Sequence, residues 1–288
     1  MLIYMNGKLV PREQANVSVF DHGVLYGDGV FEGIRVYGGR VFRLDAHMAR
    51  FETGARTLAL ELPGGIAAVR EIVLETVRAH GADEAYVRLI ITRGEGALGV
   101  DPTTCPRPRL ICLVDRVRIY PPEKLVAGID LVTSSVRRPP ADVLDPRVKS
   151  LNYLNNVMAK LEARQRGADE ALMLNAQGMV AEASVANVFA VRSGALLTPP
   201  ATDGALEGIT RATVLDLAAA LGIPAREQTL GRFDLFAADE AFLTGSGAGI
   251  VPVRSLDGRA VGRQTPGPVC EKIRAAFADA TVDLGTPV

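Results

Sequence analysis

The sequence predicts a two-domain α+β protein dominated by antiparallel strand pairs. Three observations carry this. Short apolar runs flank the turn dipeptides Asn6-Gly7, Gly38-Gly39 and Asp257-Gly258, and both central positions of a type I′ hairpin turn need φ > 0. Segments of helical period occur in both halves of the chain. Pro121-Pro122 interrupts the middle, because proline fits neither a helix interior nor a central strand. The expected division is a small N-terminal domain over 1–117, a linker over 118–128 and a larger domain over 129–288.

In order, "LIYMNGKLV" and "GVFEGIRVYGGRVFRL" read as hairpins. "DAHMARFETGARTLALEL" reads as a helix capped by Asp45, with Met48, Phe51, Ala55 and Leu58 at helical spacing. "IAAVREIVLETVRAHG" is a second amphipathic helix, closed by Gly81. Strands "AYVRLIITR" and "PRLICLV" follow, separated by a glycine-rich loop. Beyond the linker come a strand over 129–136 and a helix that opens after Lys149 and ends at Gly167. The hairpins "EALMLNAQGMVAEAS" and "NVFAVRSGALLTP" are next, then a helix closed by Gly222. A strand, a Gly/Ser loop and a last hairpin lead into a helix over about 268–281.

Of 288 residues, 48% are hydrophobic and 23% charged, the profile of a globular protein with a substantial core. A net charge of −1 gives no reason to expect nucleic acid or an anionic membrane as partner. No apolar stretch approaches the ~20 residues of a spanning helix, and "MLIYMNGKLVP" lacks the form of a signal peptide. Cys105, Cys112 and Cys270 are scattered and odd in number, as buried thiols of a reducing, cytoplasmic protein are. His22, His47 and His80 are equally dispersed, so no metal site is expected.

Four features bear on chemistry. Gly208 precedes Ile209 and Thr210 at a helix start, where unpaired N–H groups and the helix dipole favour an anion. "TGSGAG", with Ser246, can present several N–H groups after a strand. Glu182 stands in a run of small and apolar residues, where a carboxylate needs a cationic or protonated partner. Lys149 would be a nucleophile only if its amine were held neutral by desolvation or a nearby cation such as Arg147. Singly, each has an ordinary reading: a cap, a turn, a surface acid, a solvated lysine. Together they match what pyridoxal phosphate requires: an amine for the aldehyde, a partner for the ring nitrogen and donors for the phosphate.

The motifs "HGVLYGDGVFEGIR", "HMARF", "AYVRLIITRG", "VKSLNYLNN", "EASVANVF", "LEGITR" and "TGSGAG" occur in one order across nearly the whole chain. In these the protein resembles the fold-type IV pyridoxal-phosphate enzymes, most closely the branched-chain amino acid aminotransferases. The resemblance implies a D-amino acid aminotransferase-like architecture, with a smaller α/β domain and a larger domain whose sheet is barrel-like. It implies pyridoxal 5′-phosphate as cofactor, an internal aldimine on Lys149, and proton transfer by the freed Lys149. Glu182 would face the pyridine nitrogen and Tyr153 the phenolic oxygen. Arg50 would contact the phosphate with Gly208, Ile209, Thr210 and Ser246, and Leu206 would pack on the ring.

On the substrate side the resemblance places Tyr26, Phe31, Gly33, Arg35, Tyr86 and Arg88. Arg88 and Tyr26 would receive the side-chain carboxylate of glutamate. Tyr86 and the backbone of Gly247 and Ala248 would receive the α-carboxylate. Phe31 and Tyr153 would wall the aliphatic pocket, and Tyr120 would approach from the linker. The implied reaction is ping-pong transfer between L-leucine, L-isoleucine or L-valine and 2-oxoglutarate, in a homodimer or higher homo-oligomer. Alternatives on the same scaffold are a D-amino acid or (R)-amine transaminase and an aminodeoxychorismate lyase. A non-enzymatic cofactor-binding protein is a further reading, disfavoured by the joint presence of Lys149 and Glu182.

Overall fold

A computed structural model describes all residues, 1–288. The chain divides into two compact units: Met1–Val117 with Val148–Asn152 and Ala280–Val288, and Arg118–Arg147 with Tyr153–Asp279.

The first unit holds strands β1 (Leu2–Met5), β2 (Lys8–Pro11), β3 (Gly29–Tyr37), β4 (Arg40–Phe42), β5 (Ala85–Thr92) and β6 (Arg109–Asp115). Its helices are α1 (His22–Tyr26), α2 (Leu44–Thr57) and α3 (Gly65–His80). The hairpin turns form where the dipeptides predict them. Asn6 and Gly7 have φ of 48° and 98°, and Gly38 and Gly39 have 51° and 71°. Only residues tolerant of left-handed backbone close such turns without strain. Gly81 ends α3 at φ 72°. Asp45 is not the cap of α2: the helix begins one residue earlier, after a left-handed Arg43, and Asp45 lies in the first turn. There its charge still suits the dipole, and it pairs with Arg70 at 2.8 Å.

One face of this sheet carries Val30, Ile34, Val36, Val87, Leu89 and Ile91, buried against Leu44, Met48, Phe51 and Ala55 of α2 and Val69, Val73 and Val77 of α3. The period-2 alternation of β3 and β5 sends the intervening residues to the other face.

The second unit contains α4 (Pro122–Ala127), β7 (Ile129–Thr133), α5 (Ala141–Leu144), α6 (Leu154–Gln165), β8 (Glu170–Leu174), β9 (Val180–Ala183), β10 (Asn187–Arg192) and β11 (Ala195–Thr198). It continues with α7 (Ile209–Ala220), β12 (Ala225–Glu227), α8 (Arg232–Phe236), β13 (Glu240–Gly245), β14 (Gly249–Leu256), β15 (Arg259–Ala260) and α9 (Pro268–Asp283), whose last residues fall in the first unit. The final strand, β16 (Gly285–Pro287), completes the first unit's antiparallel sheet in the order β16-β4-β3-β5-β6-β1-β2. The second sheet runs β12-β11-β10-β13-β14-β7-β8-β9, with β15 on β14. Its pairs β11–β12, β14–β7 and β7–β8 are parallel, which the hairpin pattern did not foretell. Pro122 sits in the first turn of α4, where a missing N–H breaks no helical bond. The strand expected over 129–136 stops at Thr133.

Cys112 and Cys270 are buried free thiols, as expected, each pushed up to about 12 by burial. Cys105 is half-buried and also free. No helix is long and apolar enough to cross a membrane.

Candidate active site

Register explains one group of predicted residues. Gly33 lies opposite Arg88, Phe31 opposite Ile90 and Arg35 opposite Tyr86. Phe31, Gly33, Arg35, Tyr86 and Arg88 therefore share the sheet face turned away from α2 and α3. The Arg88 guanidinium lies 4.5 Å from the Phe31 ring centroid and 5.6 Å from that of Tyr86, and donates to Tyr86 Oη at 3.4 Å. Arg35 reaches outward instead, to Glu84 at 3.3 Å and the Val117 carbonyl at 3.4 Å. Tyr26 ends α1, and its hydroxyl accepts from Gly99 N–H at 2.8 Å. The hydroxyls of Tyr26 and Tyr86 thus act as acceptors here, which leaves their protons for another partner.

Gly33 is demanded by this face. A Cβ there would fall 1.8 Å from Tyr86 Oη and 2.7 Å from its Cζ. Gly33→Ala is expected to keep the fold, losing about 1–3 kcal/mol, because a terminal hydroxyl can swing away. It would displace Tyr86 and raise KM for amino acids with a smaller change in melting temperature. Steady-state kinetics beside thermal unfolding checks this.

Lys149 does not open a helix; α6 begins five residues later, at Leu154. Instead 149–151 is an extended segment laid on β3. Phe31 N–H donates to the Lys149 carbonyl at 3.0 Å, Leu151 N–H donates to the Gly29 carbonyl at 2.9 Å, and Val30 bridges to Ser150. This pins the backbone from the Lys149 carbonyl onward, and the Lys149 Nζ lies 4.5 Å from the Phe31 centroid. The same ring therefore meets the amine of Lys149 and the guanidinium of Arg88. Arg147 is exposed and bound to Asp145 at 2.6–3.1 Å, so its charge is already matched.

Behind the face lies a cluster that the motifs did not single out. Glu32 follows the inward alternation of β3 and is fully buried. It accepts from Arg50 Nε at 2.7 Å and Nη2 at 2.8 Å, and from His47 Nδ1 at 2.7 Å. Burial alone would push the Glu32 carboxyl up, but the Arg50 guanidinium and then the His47 contact hold it well below the usual carboxylate range. Burial pushes His47 down, and the Glu32 carboxylate opposes this without overcoming it. His47 is then neutral, donating from Nδ1. That makes Nε2, buried without a partner, a bare acceptor, less costly than an orphaned donor. Arg50, predicted for phosphate, is thus fixed by a bidentate carboxylate. A carboxylate at an inward strand position was the readable signal.

In the second unit Glu182, on β9, is nearly buried. One oxygen meets Arg138 Nη2 at 2.8 Å. The other accepts from Asn187 Nδ2 and Leu206 N–H, both at 3.1 Å. The predicted cationic partner exists, and it is Arg138, which none of the motifs contains. Gly208 is again required: a Cβ would fall 1.9 Å from Asn187 Oδ1.

The predicted anion seat at α7 has the right form. Gly208 caps the 12-residue helix without a side-chain bond, and Thr210 Oγ1 is buried without a partner. Thr244 Oγ1, next to the Gly245–Gly249 turn, is likewise buried and unpartnered. Ser246, Gly247 and Ala248 form that turn, and Ala248 N–H closes it onto the Gly245 carbonyl at 3.2 Å. Leu206, Ile209 and Tyr153 are partly buried, Tyr153 capping α6. Tyr120 is committed elsewhere, donating to Glu170 at 2.9 Å. Within the second unit the unsatisfied buried hydroxyls, the uncapped helix start and the held carboxylate, and within the first the lysine against an apolar wall, are each of a donor type that fits pyridoxal phosphate.

A profile of the amino-transferase class IV family matches residues 29–256. The chain is 46% identical over 288 residues to a putative branched-chain-amino-acid aminotransferase of Methanocaldococcus jannaschii, covering 100% of this chain and 99% of that protein. The crystal structure of the Escherichia coli branched-chain amino acid aminotransferase superposes with a TM-score of 0.94 at 37% identity, covering 96% of this chain and 93% of that one. That of the Thermobaculum terrenum branched-chain amino acid aminotransferase, in its PLP-bound holo form, gives 0.87 at 30% identity, covering 98% and 94%. With its strands, helices and side-chain pairings now placed, the chain belongs to the class IV amino-transferases, a family of enzymes, and has the fold-type IV architecture of its branched-chain members.

Proposed function

We propose that this protein transfers the amino group between L-leucine, L-isoleucine or L-valine and 2-oxoglutarate by ping-pong chemistry, with pyridoxal phosphate attached at Lys149. The observation that carries the reading is Lys149 and Arg88 meeting one aromatic ring, each 4.5 Å from the Phe31 centroid. An amine against an apolar wall, beside an arginine suited to a carboxylate, is what a site for both aliphatic and acidic substrates needs. The relatives named above, and the PLP form of one of them, support it.

Pyridoxal phosphate, when bound, supplies an aldehyde that exchanges with amines and a ring that withdraws electrons from the carbon losing a proton. The protein's groups do the rest. Lys149 Nζ would hold the cofactor and, as a free amine, would take the proton from the substrate α-carbon. Glu182 would keep a proton on the ring nitrogen. Tyr153 would donate to the phenolic oxygen, and Leu206 would cover one ring face. Arg50, Ile209, Thr210 and Ser246, with the helix start after Gly208, bind the phosphate. Tyr86, with the backbone at Gly247 and Ala248, receives the α-carboxylate. Arg88 and Tyr26 receive the distal carboxylate of glutamate, and Phe31 walls the aliphatic side, while Arg35 steadies the strand edge.

A donor panel tests this. Glutamate should form from 2-oxoglutarate with L-leucine, L-isoleucine and L-valine. Activity confined to D-alanine or an (R)-amine, or pyruvate release from aminodeoxychorismate, would refute it. Arg88→Ala should raise KM for 2-oxoglutarate about 10–100-fold by removing a charge-assisted bond, with a smaller effect on L-leucine.

A homodimer is part of the same proposal. Leu154, Val157, Met158 and Leu161 form a stripe on α6 at helical spacing, exposed by 46–70%. A second copy of the chain would cover it. Sedimentation should give a dimer, and Leu154→Glu with Leu161→Glu a monomer; a monomeric wild type would contradict it.

A further inference from the structure

Arg138 carries an arrangement that the roles above do not explain. It is nearly buried and held at every corner. Nε donates to the Gly204 carbonyl at 3.2 Å, Nη1 to Asn156 Oδ1 at 3.1 Å and Asn155 Oδ1 at 3.4 Å, and Nη2 pairs with Glu182 at 2.8 Å. Its backbone N–H donates to the Leu174 carbonyl at 2.9 Å. Asn156 is oriented in turn, because its Nδ2 donates to the Ser184 carbonyl at 2.7 Å. The Ser184 hydroxyl donates to Glu170, whose carboxylate also receives Lys160 at 2.8 Å and Tyr120 at 2.9 Å. A buried polar chain thus runs from Glu182 to Glu170 through the second unit. Such a chain is rigid when each member is satisfied.

A buried cation so fully anchored is an expensive feature if its only task is stability, since apolar packing would serve as well. We propose that Arg138 is a positioning residue that keeps Glu182 ionised and fixes its carboxylate, and thereby sets the protonation of the cofactor's ring nitrogen. This rests on the reading that Glu182 faces that nitrogen. Arg138 itself touches neither cofactor nor substrate in the proposal. It acts through Glu182, which without it would be a buried acid favouring its neutral form. A neutral Glu182 would withdraw the charge that holds the proton on the ring.

The test compares Arg138→Gln, Arg138→Lys, Glu182→Gln and the Arg138→Gln/Glu182→Gln double variant, each loaded with pyridoxal phosphate. Two readouts are the pH midpoint of the cofactor's absorption band and kcat against KM for L-leucine. Glu182→Gln should move the midpoint and lower kcat. Arg138→Gln should move the midpoint in the same direction and lower kcat about 10–100-fold with KM little changed. Arg138→Lys should recover part of both. In the double variant, which leaves no unpaired buried charge and so serves as the folded control, Arg138→Gln should add nothing further to Glu182→Gln. An unmoved midpoint and kcat in Arg138→Gln, with Glu182→Gln altered, would overturn the positioning role alone. Additive losses in the double variant would overturn it too. An unaltered Glu182→Gln would instead overturn the ring-nitrogen reading and this inference with it.

Discussion

Under the proposed function, Lys149→Ala should abolish transamination, with kcat for L-leucine falling by at least about 10²–10⁴-fold, the range set by loss of a positioned acid–base group. The expected loss is larger still because, in the proposal, the same amine would also carry the cofactor. Lys149→Arg should do no better, since a guanidinium is neither a nucleophile nor a base near neutral pH. The fold should hardly notice. Lys149 is half-buried, and the bonds that join 149–151 to β3 run between backbone groups of Lys149 and Leu151 and those of Phe31 and Gly29, which alanine keeps. Unfolding free energy should change by less than about 1 kcal/mol. Borohydride reduction of the wild type, followed by peptide mapping, should place the added mass on Lys149, and mass on another lysine would refute the assignment.

The second large effect lies behind that face. Glu32→Ala should destabilise the protein by about 3–5 kcal/mol, the usual consequence of removing one partner of a buried ion pair. It leaves the Arg50 guanidinium and the His47 Nδ1 proton without their acceptor. Denaturant unfolding at neutral pH checks the value. The variant should also bind pyridoxal phosphate at least about tenfold more weakly, because Arg50 loses the bidentate contact that fixes it.

The same cluster sets an acid limit. The folded-state pKa of Glu32 is depressed, so its contribution is complete above the ordinary value of ~4.3 and is lost as pH falls below it. The folded-state pKa of His47 is also depressed. The unfolded chain therefore takes up a proton below about pH 6.5 that the folded one refuses, and stability falls as pH drops from there. Unfolding free energy should decline from about pH 6.5 downward, with a shallower slope in His47→Gln; equal slopes would contradict a neutral buried His47.

Much of this was readable from residues. Asn6-Gly7, Gly38-Gly39 and Asp257-Gly258 announce turns because few residue types accept their φ values, and all three close hairpins. Phe31, Gly33, Arg35, Tyr86 and Arg88 came from the resemblance rather than from spacing, and the β3–β5 register then shows why they share a face. The segment around Lys149 was not readable. Its extended form comes from pairing with β3, over a hundred residues away in the chain, and no local propensity shows such a partner. Parallel pairing of β7 with β8 and β14 is hidden for the same reason. Arg138 escaped because "SSVRRPP" looks like a solvated basic loop; its meaning lies in Glu182, which the fold brings to it. Glu32 was legible in principle, as an acid on an otherwise apolar strand face. Its partners on α2 needed the tertiary packing.

The most direct measurement of the central claim is a half-reaction on the purified, pyridoxal-phosphate-loaded protein. L-Leucine added alone should convert the bound cofactor from the aldehyde to the amine form and release one equivalent of the keto acid. 2-Oxoglutarate added next should restore the original spectrum and yield glutamate. A bound aldehyde that leucine never converts, or an amine form that 2-oxoglutarate never restores, would contradict the account.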